Sequence, residues 1–248
     1  MLLRNISVDC VIFGFEGEKL NVLLWQADPR LLMQTLRENE DYEQLRILYD
    51  SHPSLQTDST WGLIGAHAPE ESDLDEYAQE ITTGCTGLTN VYLKQFHTFG
   101  DSRRVPYYRV ITVGYYALIN PRYHNLHTST LTRRMQWFDI NHLPPLCFDH
   151  REIIITALEH LRENVQYHPV GFHLLPEYFT LTELQTMYEV ILGEKLDIRN
   201  FRKKIQKMDF LLETGEKQKN VPHRAARLYR FDRQNYDRQL KEGLTFRI

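Results

Sequence analysis

The chain has 248 residues, 42% of them hydrophobic, and a formal net charge of −4, which suits one large core or two modest ones. No apolar run reaches the roughly 18 residues that cross a bilayer, and Met1–Asp9 lacks the basic-then-apolar layout of a secretion signal. Three widely spaced cysteines (Cys10, Cys85, Cys147), none in a C-x-x-C pair, argue against a disulfide framework and a zinc site. A reduced cytoplasmic protein is expected.

Ser7–Trp25 predicts a β-hairpin: two β-branched and aromatic runs flank the turn Glu16-Gly17-Glu18-Lys19. Residues 31–58 are polar and weakly helical, and read as a surface excursion. In "GAHAPEESDLDEYAQEITTGCTGL", residues 65–88, Leu74, Tyr77, Ala78 and Ile81 recur at helical spacing and predict a short helix with one apolar stripe. Residues 91–100 and 108–120 then predict two strands around a loop, a mixed α/β pattern.

From Asp149 the pattern becomes helical. Asp149 with Glu152, and Thr180 with Glu183, have capping-box spacing, and Gly193 stops the second helix. Asp197 can open a third. Pro144-Pro145 places a domain boundary nearby, giving expected domains 1–148 and 149–248. Charge changes sign along the chain: residues 151–248 hold 17 Lys+Arg against 14 Asp+Glu, while the first 150 hold 12 against 19. Such asymmetry points to different partners.

In "LDIRNFRKKIQKM", residues 196–208, Ile198, Phe201, Ile205 and Met208 form the expected inner face. Arg199, Arg202, Lys203 and Gln206 share the opposite one. A short helix, a tight turn and a basic helix match helix-turn-helix geometry. "FLLET" and "ARLYRF" follow as strands around a basic tip, the wing of a winged helix, and residues 196–230 hold ten Lys+Arg against four Asp+Glu. Arg and Gln can read base edges, whereas Lys holds phosphates. The candidate DNA contacts are Arg199, Asn200, Arg202 and Gln206, with Lys203, Lys204, Lys207, Lys217, Lys219 and Arg224 positioning the backbone. A solvated basic helix, or a protein-docking module, is the alternative for the same charges.

Residues 65–88 have the outline of the Nudix box, G-x5-E-x7-R-E-U-x-E-E-x-G-U with U a bulky aliphatic. That motif hydrolyses diphosphate linkages with a divalent metal held by carboxylates. Anchored on Thr86-Gly87-Leu88, its E-E pair becomes Gly84-Cys85 and its first Glu becomes Ser72; anchored on Gly65, the pair becomes Thr83-Gly84. Neither register retains the pair, so no catalytic residue, metal or cofactor is expected. The alternative is a hydrolase whose carboxylates have moved to Glu70, Glu71, Asp73, Asp75, Glu76 and Glu80.

Together with "WGLIGA", "LPPLCFDHREIIITALEHLR" and "YHPVGFHLLPEYFTLTELQTMYEVILGEKLDIRNFRKKI", these segments make most of the chain resemble the Nudix-related transcriptional regulators of bacteria, the NrtR type and its sugar-responsive members. The resemblance implies an α+β chain: an N-terminal Nudix-like α/β/α sandwich with a mixed sheet, then a C-terminal winged helix-turn-helix domain. It also implies a cytoplasmic homodimer on palindromic operator DNA, controlled by a sugar or an ADP-ribose-like effector. "LIGAHAP" departs from the family's L-P-G-G-F-V turn. The effector-binding candidates are Asp9, His67, Phe99, Arg103, Arg109 and Tyr115, which flank or lie on the strands around the degenerate box.

Overall fold

The computed structural model describes residues 2–27, 61–89, 91–105, 109–127, 132–169, 171–208, 210–219, 222 and 224–242. The excursion expected at 31–58 lies outside them. Contacts divide the chain into two compact units, Met1–Gly14 with Leu20–Leu158, and Phe15–Lys19 with Glu159–Ile248.

The first unit is built on a six-stranded mixed sheet. Its strands are β1 (Leu2–Glu16), β2 (Lys19–Ala27), β3 (Ile64–Pro69), β4 (Lys94–Phe99), β5 (Ile111–Ile119) and β6 (Thr132–Asp139). The order is β4-β5-β1-β2-β6, with β3 also on β1. The expected hairpin is β1–β2, and Gly17 turns it at φ 62°, a backbone region that glycine enters without steric cost. β1 runs parallel to β5, in register from Ile6 opposite Ile111 to Gly14 opposite Ile119. The pairs β1–β3, β2–β6 and β4–β5 are antiparallel. The sequence reading missed β6, whose "TRRMQWFD" mixes charges into an edge strand and so lacks a clean alternation.

Period-two alternation separates the two faces of the sheet. Val8, Cys10, Ile12, Val113, Tyr115, Ala117 and Ile119 form one buried cluster with Ala78 and Leu88. Leu74, Tyr77 and Ile81 pack against it, so the predicted stripe is the inner face of α1 (Leu74–Thr86). α1 ends at Gly87 in the left-handed region, φ 72°, with the Gly87 N–H donating to Thr83 O. Ser7, Asp9 and Thr112 alternate with these residues and belong to the other face. The first turn of α2 (His150–Tyr167) is bonded on that side through Asp149 and His150.

The second unit follows from helical periodicity and an aromatic core. α3 (Leu181–Leu192) opens with the complete Thr180–Glu183 capping box and closes at Gly193, φ 76°. Arg162 Nε donates to the Ile191 carbonyl at 3.0 Å, satisfying one of the last acceptors of that helix. α4 (Ile198–Gln206) is capped by Asp197, which accepts from the Asn200 N–H at 2.8 Å. β7 (Leu211–Lys217) and β8 (Arg227–Phe231) form the antiparallel wing. Phe179 exchanges two backbone bonds with Tyr229, adding a third short rung. A helix not foreseen, α5 (Arg233–Lys241), brings in Tyr236. Phe172 stacks on Phe231 at 4.4 Å, and Phe210 meets Phe231 and Tyr236 edge-on, arrangements that suit the aromatic quadrupole.

One expected inner residue differs. Phe201 and Ile205 are buried, but Ile198 is 55% exposed. It is the first residue of α4, one turn before Phe201, where the helix has only its Asp197 cap and little to bury against.

Candidate nucleic-acid interface and ligand cleft

α4 places its basic side chains by anchoring the opposite face. Phe201 and Ile205 point into the core, with Phe201 5.7 Å from the Tyr188 ring. Arg199, Asn200, Arg202, Lys203, Lys204, Gln206 and Lys207 are all exposed as a result. The turn before α4 is held by the Glu189 carboxylate. It accepts from Gln185 Nε2 at 2.8 Å, from the Leu196 N–H at 3.2 Å and from Lys195 Nζ at 2.7 Å. The bond from Lys195, ahead of those from Gln185 and Leu196, holds this carboxyl below its ordinary range.

Arg202 Nη2 reaches Thr182 Oγ1 on α3 at 3.3 Å, which limits its sweep. On the wing, Lys217, Lys219 and Arg224 are exposed, and Gly215 at φ 77° accompanies a register shift between Glu213 and Lys217. Arg227 is tied to Glu213 at 2.9 Å. The unit thus presents a capped, anchored helix and a wing, both basic on the solvent side. Helix-turn-helix proteins place such a helix in the major groove and hold the backbone with flanking cations.

In the first unit, a cleft of about 500 Å³ is lined by His97, Phe99, Gly100, Asp101, Arg103, Arg104, Asp149 and Glu152. Arg104 is its buried centre. Nε and Nη2 donate to both Asp149 carboxylate oxygens at 2.7 and 2.9 Å, and Nη1 donates to Thr112 Oγ1 at 2.6 Å. Thr112 Oγ1 lies 2.7 Å from Ser7 Oγ. The guanidinium also sits 6.0 Å from the Phe99 ring centroid. These bonds leave the pair 6% and 11% exposed at its side chains.

Asp9 and His150 lie behind this pair, with His150 Nε2 4.0 Å from Asp9 Oδ2. His150 Nδ1 accepts from the Leu63 N–H at 3.0 Å, so a neutral ring carries its proton on Nε2, toward Asp9. Burial raises the Asp9 carboxyl against the opposing pull of His150 and Arg104. Burial likewise lowers His150 against the pull of Asp9. Gly65 on β3 makes room for Asp9: a Cβ there would fall 1.8 Å from Asp9 Oδ1.

The six expected effector residues are only partly gathered. Phe99 and Arg103 line the cleft, Arg103 being 89% exposed and paired with Asp101 at 3.4 Å. Asp9 is not among the lining residues but is buried beside His150, and half-buried His67 acts electrostatically on it. Arg109 is exposed and donates to Gly100 O at 3.4 Å. Tyr115 lies on the opposite face of the sheet, where its hydroxyl donates to Asp75 Oδ1 at 2.5 Å. Sequence reasoning missed Arg104, Thr112 and His150 and gave Asp149 only a capping role. The adjacent polar "FDH" after a Pro-Pro break was the one local signal.

Residues 171–231 match the profile of the NrtR DNA-binding winged helix domain. The chain is 32% identical over 201 residues to the ADPR responsive transcriptional repressor NtrR of Acinetobacter baylyi, covering 79% of this chain and 80% of that one. The structure resembles that of Shewanella oneidensis NrtR in complex with a 27mer DNA, with TM-score 0.68 and 26% identity over 94% of this chain and 95% of that one. A MutT/nudix family protein from Enterococcus faecalis, 22% identical, shares the fold at TM-score 0.68 over 93% of this chain and 87% of that one. Likeness of this extent, running through both units, identifies the chain as a member of the NrtR-type family of Nudix-related bacterial transcriptional regulators.

Proposed function

We propose that this protein is an effector-controlled transcriptional regulator, with residues 149–248 binding operator DNA and residues 1–148 sensing a small molecule. The observation that carries the reading is the solvent face of α4, where Arg199, Asn200, Arg202, Lys203, Lys204 and Gln206 are exposed over buried Phe201 and Ile205. Arg199, Arg202 and Gln206 read base edges, and the lysines with Lys217, Lys219 and Arg224 hold phosphates. A homodimer would set two such helices on the half-sites of a palindrome.

The effector is an ADP-ribose-like molecule, by kinship with the ADP-ribose-responsive relative. The cleft around Phe99 and Arg103 suits one. Arginine forks match phosphate, carboxylates accept from ribose hydroxyls, and an aromatic wall covers an apolar face.

The sensing domain is not a hydrolase in this reading. The divalent metal that the Nudix fold implies does not fit the residues present. Glu70, Glu71, Asp73, Asp75, Glu76 and Glu80 are exposed, and Asp75 is engaged by Tyr115. Among the described residues no group of three His, Cys, Asp or Glu side chains is placed to hold a metal ion. At the end of α1, Thr83 Oγ1 donates to the Leu88 carbonyl at 2.8 Å and Thr86 Oγ1 to the Thr82 carbonyl at 2.6 Å, so these side chains close the helix. Among the described residues, no helix is long and apolar enough to cross a membrane.

Fluorescence anisotropy with DNA from upstream of the protein's own gene tests the reading. Nanomolar binding that weakens steeply with salt, and shifts with ADP-ribose, is expected. Equal affinity for scrambled DNA at all salt concentrations would refute it.

A further inference from the structure

The start of α2 is held by a clasp of close contacts. Four consecutive residues, Cys147 to His150, are each fixed by their surroundings. The Cys147 N–H donates to the Trp61 carbonyl at 3.0 Å, and its thiol reaches the same oxygen at 3.1 Å. Phe148 has φ 44°, a conformation that a bulky residue holds only where neighbours fix it. Asp149 takes both prongs of Arg104, and His150 takes the Leu63 N–H beside Asp9. Of the four, Asp149 also lines the cleft.

Arg104 and Asp149 both line that cleft. Their two parallel bonds are the geometry in which a guanidinium binds phosphate. The carboxylate therefore occupies the place that a ligand's anionic group would take, and the cleft's Glu152, Asp101 and His97 can meet hydroxyls beside it. α2 continues without a break from this clasp to Tyr167, and its residues from Glu159 onward belong to the second unit.

Resting on the functional reading above, we propose that Asp149 is an internal stand-in for the effector's anionic group: a phosphorylated polyol entering the cleft takes Arg104 from Asp149, and release of the Cys147–His150 clasp is the signal passed along α2. Exchange keeps the guanidinium paired, but it requires Asp149, which lines the cleft, to be hydrated as it leaves, since a carboxylate buried alone is costly. It is selective because a neutral sugar cannot compete with the carboxylate.

The test uses the full-length protein, its upstream DNA, anisotropy, and the probes ADP-ribose and ribose. Asp149→Asn removes the competing charge at constant shape. Its ligand-free DNA affinity is expected to move at least fivefold, in the direction that saturating ADP-ribose moves the unmodified protein. The remaining response to ADP-ribose should fall below twofold, and Asp149→Glu should restore both. Ribose should shift neither protein.

A responsive unmodified protein alongside an unaltered Asp149→Asn variant overturns the exchange while leaving the functional reading intact; so does a ribose response equal to that of ADP-ribose. An unmodified protein blind to ADP-ribose overturns the reading and the exchange with it. Melting curves monitor folding. Should Asp149→Asn unfold, the double variant Arg104→Met/Asp149→Leu leaves no charge buried alone. It must lose the ADP-ribose response, and a full response from it refutes the exchange.

Discussion

Gly65→Ala is the smallest change that probes how Asp9 is seated against β3. The new methyl carbon would lie 1.8 Å from Asp9 Oδ1 and 2.7 Å from the Val8 carbonyl oxygen, so the side chain or the strand must give way by more than 1 Å. Turning Asp9 aside breaks its arrangement with His150 at 4.0 Å, and moving β3 sacrifices the ladder from Ser7–His67 to Cys10–Ile64. Overpacking of a tight site costs about 1–3 kcal/mol, and a domain of this size melts about 2–4 °C lower per kcal/mol. Calorimetry should therefore show melting about 2–12 °C lower. The double variant Asp9→Ala/Gly65→Ala is the control. Its destabilisation should fall short of the sum of the single changes by about 1 kcal/mol or more, as expected for groups in contact. Additive effects, or an unshifted Gly65→Ala, would show that Asp9 does not rest against Gly65.

On the proposed DNA face of α4, Arg199→Ala or Arg202→Ala should cost about 1–3 kcal/mol of discrimination between operator and scrambled DNA. Lys203→Ala should instead weaken both and flatten the log–log salt slope by about 1; anisotropy titrations at several salt concentrations separate the two. Burial holds the folded-state pKa of His150 below 6.5, so the unfolded chain protonates first. The contribution of His150 is then complete above about pH 6.5 and is lost as pH falls through the folded value. The gap in melting temperature between the unmodified protein and His150→Gln should accordingly narrow toward pH 5. Tyr188 is wholly buried and its hydroxyl finds no hydrogen-bond partner among the described residues. Tyr188→Phe should therefore be neutral or stabilise by about 1 kcal/mol in denaturant unfolding, and a loss of more than that would reveal a partner.

Local patterns made much of the second unit legible. The Thr180–Glu183 box, the Gly193 stop and the Asp197 cap act over three or four residues, so their chemistry is complete within the segment that carries it. The alternation of Phe201 and Ile205 with basic residues placed the exposed basic face of α4 equally well. Ile198 was misjudged because periodicity says which direction a side chain takes, not whether anything lies there. In the first unit, the strands of the hairpin and the stripe of α1 were legible for the same local reason. β6 was not, since an edge strand with charges lacks the period that a buried one displays.

The sequence alone determined α1 to α4 but not α5, together with the basic face of α4 and the absence of an adjacent carboxylate pair at the expected end of the Nudix box. Only the tertiary structure assembled the candidate cleft. It set Tyr115 on the far face of the sheet and brought Arg104 to Asp149, 45 residues away. It also turned Gly65, read as the opening residue of a motif, into the space that Asp9 occupies. Caps and stripes are written by neighbours along the chain. A buried ion pair and a missing Cβ acquire their meaning from strand pairing between distant segments, which no local spacing encodes.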